Sequence, residues 1–455
     1  MENLCGSGHR AVAVDCAQPR MTNVAVSLSG NRLSGTDLLL SPGVNLITGE
    51  RHFATYFSAA TSLETDLLTV ASAVYCADLG IKRGERENIT RRIRLSVPVT
   101  NFASFQQVRD EIVYALYRLS HDAWDLRFTA RDGTPEGNVS WPSDPDRKVL
   151  LFSGGLDSLA GAIHYCERNE CLALVSHLTA NRAVSEAQKG LVAHLRSQFP
   201  TMIEHFGIRV GAASRPQRGL PFPSDKNRED SQRTRSFLFL ALAFLVARRK
   251  GCPRVVVIAE NGQMAVHLPL SAGRIGAFST QTAHPEFLHT ASRLFSTLLR
   301  CDISVDNPFL YSTKAEVVAR PLSAHRNAFD IAVSCWKASR LGTGKKHCGF
   351  CVPCVLRRLA SEANGVNIDE YQRDLFSQNL SSLPRDDDGR KNIVEIGEFI
   401  RGFEAASSQA ELESLYPELV NQHFDRSRVA SMYRRFTSEA RRVFARYPAL
   451  QQLLS

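Results

Sequence analysis

The stretch that most constrains this chain is Lys148-Val149-Leu150-Leu151-Phe152 followed at once by Ser153-Gly154-Gly155-Leu156-Asp157-Ser158. An apolar run of strand type ends in a loop with two adjacent glycines, and a helical pattern follows from Leu159. Glycines let the backbone turn tightly and bring its N–H groups close to an anion. The helix start adds unpaired N–H donors and the positive end of a dipole. Ser153 and Ser158 add hydroxyls. Together these parts make a cradle for phosphate. It differs from the loop ending in Gly-Lys-Ser/Thr and from the Gly-x-Gly-x-x-Gly turn of dinucleotide folds.

From Lys148 the pattern alternates between strand and helix. Strands are predicted at 148–152, 171–178, 254–259 and near 207–211, with helices from 159, over 183–197 and over 231–250. Ser231 reads as the cap of the last helix, and Gly251 and Pro253 as its stop signals. A Pro/Arg/Asp-rich loop, 213–230, is placed to cover a site. The alternation predicts a parallel sheet covered by helices on both faces. Ligands on such sheets bind at the carboxyl ends of the strands, where the 153–158 loop and Glu260-Asn261-Gly262 both fall.

Residues 1–145 carry no catalytic motif and read as an α+β domain that organises a substrate or partner. It has a helix over Thr65–Ala77, an alternating strand over Arg92–Val99, an amphipathic helix over 104–120 and a strand over Trp124–Thr129. Pro98 favours an edge position for the second of these. Residues 132–146 form a Gly/Pro/Asp/Ser-rich linker, which gives three expected parts: 1–145, 146–365 and a helical region, 366–455. In the last part Arg434, Arg435, Arg441, Arg442 and Arg446 interleave with Tyr433, Phe436, Phe444 and Tyr447. The favoured reading is an amphipathic helix with solvated arginines, and the alternative is a surface for RNA or an acidic partner.

The 55 basic residues exceed the 46 acidic ones by nine, which suits a site for nucleotides or other anions. The charge is spread along the chain, so nucleic acid is the less favoured partner. An odd count of 11 cysteines and no signal peptide lead us to expect a reducing cytosol. The longest apolar run, Phe237 to Ala247, is too short to span a bilayer, and no membrane role is expected.

Four cysteines cluster. Cys335 is followed by Cys348-Gly349-Phe350-Cys351-Val352-Pro353-Cys354. Four thiolates suit a structural, tetrahedral Zn²⁺ with no open position for water. Lys345, Lys346, His347 and Arg357 would offset its negative charge. An iron–sulfur cluster and a redox pair are the alternatives.

Ser-Gly-Gly-x-Asp-Ser after a strand resembles the pyrophosphate loop of the N-type ATP pyrophosphatases, a parallel-sheet fold of the adenine-nucleotide α-hydrolase-like (HUP) kind. With the cysteine pattern about 180 residues on, the chain resembles the QueC family, the 7-cyano-7-deazaguanine synthases of queuosine biosynthesis. The likeness spans roughly 147–362 and includes Arg233-Thr234-Arg235, Asp306-Asn307-Pro308, Ser312-Thr313-Lys314-Ala315-Glu316, Ser334-Cys335-Trp336 and Arg357. The resemblance implies ATP, Mg²⁺ and Zn²⁺. It also implies a small 7-carboxy-7-deazaguanine-like acid that is activated as an acyl-adenylate, captured by ammonia as an amide and dehydrated to a nitrile. It further implies that Ser153, Gly154, Gly155, Leu156, Asp157 and Ser158 hold the pyrophosphate. Asp157, Ser158, Lys314 and Arg235 become the catalytic candidates, Glu260, Asn261, His284 and Arg233 the substrate contacts, and the four cysteines the metal ligands.

The chain is about twice the length of a QueC synthase, and 260–262 with 280–287 follows the family pattern only loosely. The long form resembles the QatC family, the QueC-like component of the Qat anti-phage defence systems. That likeness implies a C–N-forming ligase that joins the deazaguanine acid to the N-terminal amine of a small partner protein of the same operon. A nitrile synthase, a tRNA-modifying pyrophosphatase and a nucleotide-binding scaffold of a defence complex are the alternatives.

Overall fold

A computed structural model of the chain describes residues 20–454 apart from 32–33, 85–89, 214–218, 253–254, 271–281, 342–343 and 369–370. Two parallel sheets organise it. The first contains β1 (Met21–Val26) and β2 (Leu38–Leu40); β3 (Leu46–Ile47) lies apart from it, and β4 (Arg92–Val99) and β5 (Ala123–Ala130) complete it. Its order is β2-β1-β4-β5, and every pairing is parallel. The expected α+β leading part is thus corrected to α/β. Parallel neighbours need crossover connections, and the helices Ser62–Gly80, Phe102–Gln107 and Arg109–Ser120 lie in those leading to β4 and β5. The single helix read over 104–120 is two helices, broken at Val108.

β4 buries alternate residues, as its sequence predicts. It is an interior strand, yet β1 accompanies it only as far as Ser96. Pro98, which has no N–H to donate, therefore sits where β4 has β5 alone as a neighbour. The edge reading holds for the residue and fails for the strand.

The helix Ser62–Gly80 opens with a capping box between Thr61 and Glu64. It is buried on almost every side and packs along the apolar helix Arg235–Lys250. A helix that is apolar all round needs neighbours all round. This pair has them, because one core cluster runs from Val24 and Leu95 through Val70 and Phe244 to Leu294. Polar clasps close both ends. Glu64 pairs with Arg248 and Arg249, and Asp78 accepts from the Thr234 amide at 2.8 Å and its hydroxyl at 3.0 Å. Thr234, not Ser231, is consequently the N-cap residue of the helix Arg235–Lys250; Gly251 ends that helix in the left-handed conformation.

The second sheet comprises β6 (Arg147–Leu151), β7 (Cys171–Leu178) and β8 (Ile203–Arg209), with β10 (Val255–Val257) and β11 (Ser304–Asp306). Between them in the chain, β9 (Gly211–Ala212) pairs antiparallel with β3. The order is β11-β10-β6-β7-β8, all parallel. The chain runs outward from β6 to β8, then returns to the other side of β6 with β10. The order reverses between β6 and β10, the place outside the carboxyl ends where ligands bind in sheets of this kind. The C-terminal helices Asp388–Ala405 and Arg426–Phe444 pack with Val352–Ala363 around Phe399, Phe403, Tyr433 and Phe436. No helix among the described residues is long and apolar enough to cross a membrane.

Candidate phosphate-loop site

The helix after β6 starts at Leu156, three residues earlier than the sequence pattern suggests, with Gly155 as its N-cap. Asp157 and Ser158 are therefore in its first turn, where a carboxylate or an anionic ligand meets the positive end of the dipole. Gly154 has φ +84°, and a Cβ there would lie 3.0 Å from Gln188 Cγ. Only glycine suits both conditions. Ser153 Oγ accepts from the Gly155 amide at 3.3 Å, and Ser158 Oγ donates to the Gly155 carbonyl at 3.0 Å. The two hydroxyls face each other at 3.3 Å. Two residues that sequence reasoning missed hold the loop from behind. Gln188 donates to the Ser153 carbonyl at 3.4 Å, and the Val333 amide donates to the Gly154 carbonyl at 3.0 Å. No motif marks either one, since both act from distant segments.

Across the reversal, Asp157 meets the loop after β10. Its Oδ1 accepts from the Asn261 amide at 3.3 Å and from Asn261 Nδ2 at 3.1 Å. Its Oδ2 pairs with Lys314, the first residue of the helix Lys314–Ala324. Asn261 Nδ2 also donates to Glu260 at 3.0 Å. Asn307 grips the Glu260 backbone at both ends, donating to its carbonyl at 2.8 Å and accepting from its amide at 3.2 Å. Burial and the Asp157 carboxylate, opposed by Lys314, push Glu260 up to about 8. Two acids, one ammonium and one amide thus converge beside the glycine turn: a Glu260 carboxyl held above the usual carboxylate range, an Asp157 paired with Lys314, and a helix start whose first amides suit an anion.

The other named residues make contacts of their own. Arg233 is buried, donates to the Ser120 carbonyl at 3.3 Å, and stands among Asp78, Arg83, Asp122 and Glu229 of a buried ionic network. Arg235 is exposed, with its guanidinium 5.4 Å from the Phe239 ring. His284 caps the helix Pro285–Leu299, accepting from the Glu286 amide at 3.3 Å, and burial holds it down at about 4. Of the 280–287 segment, Thr280 and Gln281 lie outside the described residues.

The four cysteines are buried and their sulfurs lie within 4.8 Å of one another. Cys348 and Cys354 sulfurs are 3.9 Å apart, against about 3.8 Å for the edge of a tetrahedron with metal–sulfur bonds of about 2.3 Å. The set fits one metal ion. Cys335 and Cys348 thiols are pushed down and Cys351 and Cys354 up, as expected of sulfurs competing for protons at close range. Their donors are backbone amides: Lys337 and Cys348 point at the Cys335 sulfur at 3.3 and 3.4 Å, and Cys351 at that of Cys348 at 3.3 Å. Two of the cations named from sequence have contacts of their own. His347 is buried, and burial holds it down at about 3, while Arg357 donates to the Ala332 and Phe329 carbonyls at 3.1 and 3.0 Å. Gly349, at φ +83°, is required because a Cβ would lie 2.0 Å from the Arg373 carbonyl.

Residues 147–365 match the family described as queuosine biosynthesis protein QueC. That span holds the glycine turn, Glu260, Lys314 and all four cysteines. The chain is 27% identical over 226 residues to the 7-cyano-7-deazaguanine synthase of Allorhizobium ampelinum, covering 48% of this chain and 88% of the relative. It is 26% identical over 230 residues to the Brucella ovis and Brucella suis synthases, covering 49% of this chain and 91% of each. The QueC match thus leaves the first sheet and the C-terminal helices outside it.

Proposed function

We propose that the chain is a QueC-like enzyme that uses ATP to activate the carboxylate of a 7-deazaguanine acid and passes the acyl group to an amine. The observation that carries this is the convergence of Asp157, Lys314, Glu260 and Asn261 beside the Ser153–Ser158 turn, inside the span that matches QueC. A carboxylate oxygen attacks the α-phosphorus, the bond to the bridging oxygen breaks, and pyrophosphate leaves. The amine then attacks the acyl carbon, loses a proton, and AMP departs. Loop amides and Lys314 stabilise the charge that gathers on the phosphates in the transition state. Asp157 is the carboxylate available to the Mg²⁺ of ATP, and zinc is the ion best suited to the four buried thiolates.

We further propose that the amine is the N-terminus of a small partner protein in an anti-phage system. Supporting this are the added first sheet and C-terminal helices, which are packed onto the QueC-like part and leave room for a role beyond the capture of ammonia. The synthase reading is the second one, favoured by relatives matched over 88–91% of their own length. The test is intact-mass analysis of the protein encoded beside this one, after incubation with ATP, 7-carboxy-7-deazaguanine and this chain. A mass gain at the partner's N-terminus supports conjugation. Free nitrile with an unmodified partner overturns conjugation in favour of synthase chemistry.

A further inference from the structure

The helix Arg426–Phe444 lies outside the QueC match, yet it touches both loops that build the site. On one side, Tyr433 is buried and its hydroxyl serves the turn after Asn261, donating to the Gln263 carbonyl at 3.2 Å and accepting from the Leu268 amide at 3.1 Å. Gln263 in turn accepts from the Lys314 amide through Oε1 at 2.8 Å. Gly262 is needed beneath this contact, because a Cβ there would lie 2.8 Å from Met432 Cε and 2.4 Å from the Leu310 carbonyl.

One and a half turns further along, Glu439 accepts from the Thr313 hydroxyl at 3.0 Å. Thr313 caps the helix that Lys314 begins, and its oxygen accepts from the Glu316 amide at 3.2 Å. A hydroxyl has one proton to give. Directing that proton to Glu439 leaves the oxygen's lone pairs to the helix amide, so one side chain sets the geometry of the cap. Arg435 adds a third tie, donating to Glu316 at 2.7 Å and to the Tyr311 carbonyl at 2.8 Å.

We propose that Tyr433 and Glu439 are positioning residues for the site, holding the Asn261–Gln263 turn and the Thr313–Lys314 helix start in register from a helix that the QueC match does not include. The proposal rests on the reading that Lys314 acts on ATP phosphates. A side chain held through two others is sensitive to small displacements, and misplacement by about 1 Å costs on the order of a hundredfold in rate.

The test is a double-variant cycle on ATP–pyrophosphate exchange, with amide hydrogen exchange beside it. Glu439→Leu should lower kcat ten- to a hundredfold with little change in KM for ATP, on the order expected for lost alignment. Glu439→Gln, whose amide oxygen still accepts the Thr313 hydroxyl, should restore most of it. In a Lys314→Ala background Glu439→Leu should cost nothing further, because coupled residues are not additive. Equal losses in both backgrounds, or an unchanged kcat, overturn the proposal. If the wild-type chain shows no exchange at all, the ATP reading fails, and hydrogen exchange still decides the geometry. Glu439→Leu should then deprotect 313–318 and Tyr433→Phe 264–268, with 352–360 unaffected. Unchanged protection in folded variants overturns the proposal.

Discussion

The two sheets of this molecule share a topological feature and use it differently. In both, the chain leaves a central strand in one direction and returns on its other side, so the order reverses between β1 and β4 in the first and between β6 and β10 in the second. Each reversal opens a crevice at the carboxyl ends. In the first sheet that ground is closed. Asp66 accepts from the Thr100 amide at 3.1 Å, the Asn101 amide at 2.7 Å and the Asn101 side chain at 2.9 Å, and Asn101 accepts from Glu136 at 2.7 Å. The polar groups satisfy one another and Asp66 is buried. In the second sheet the loops carry a glycine turn at a helix start, a salt-bridged Asp157 and a Glu260 carboxyl held above the usual carboxylate range. The two sheets share a topology and differ in the composition of the loops at the reversal.

That comparison can be broken at several points. The largest effect is expected from the metal. The segment that carries Cys335 also supplies the Val333 amide to Gly154, so the cysteine cluster braces the second crevice. Chelation, or Cys351→Ser, should release one metal ion per chain by elemental analysis and lower the thermal midpoint by many degrees. Hydrogen exchange should then rise at 153–158 before it rises at 100–101. Simultaneous loss at both would show that the crevices are not separately supported.

Next, paired substitutions should separate function from stability. Asp157→Asn should reduce ATP-dependent turnover about 10²- to 10³-fold with a small shift in midpoint. Asp66→Ala should cost roughly 3 kcal/mol in denaturant unfolding, by stranding buried donors. It should leave turnover per folded molecule unchanged. The reverse pattern would reassign the crevices.

The smallest effect is in pH. Glu260 moves from 4.5 to about 8 on folding, so between those values the folded chain holds a proton that the unfolded chain releases. Stability contributed by that proton is full below 4.5 and is lost as pH rises through about 8. Glu260→Gln should flatten this part of the midpoint–pH curve. An identical slope in both proteins would contradict the assigned burial.

Much of this arrangement is written in the sequence. The run 148–158 states strand, turn and helix start in order, and the spacing of Cys335, Cys348, Cys351 and Cys354 announces a cluster, because both signals are local. The alternation of 92–99 likewise shows which face is buried. What local signals do not reveal is the part decided by distant partners. Arg233 and Arg235 are separated only by Thr234, yet one joins a buried ionic network and the other faces solvent. His284, in a segment read as part of the site, also caps the helix Pro285–Leu299 through Nδ1. The parallel order of the first sheet follows from crossovers that no single strand can reveal. The arginine-rich tail reads correctly as an amphipathic helix: Tyr433, Phe436 and Phe444 are core, and Arg441 and Arg435 pair with Glu404 and Glu316. That Tyr433 and Glu439 reach the two site loops needs the fold.

The central claim is that the Ser153–Ser158 turn, with Asp157 and Lys314, handles the phosphates of ATP for acyl activation. The most direct measurement is exchange of labelled pyrophosphate into ATP by metal-replete protein, with and without 7-carboxy-7-deazaguanine. The account expects exchange that requires the acid and is abolished by Asp157→Asn. Exchange that is absent in the folded wild type, or that persists undiminished in the Asp157 variant, would contradict it.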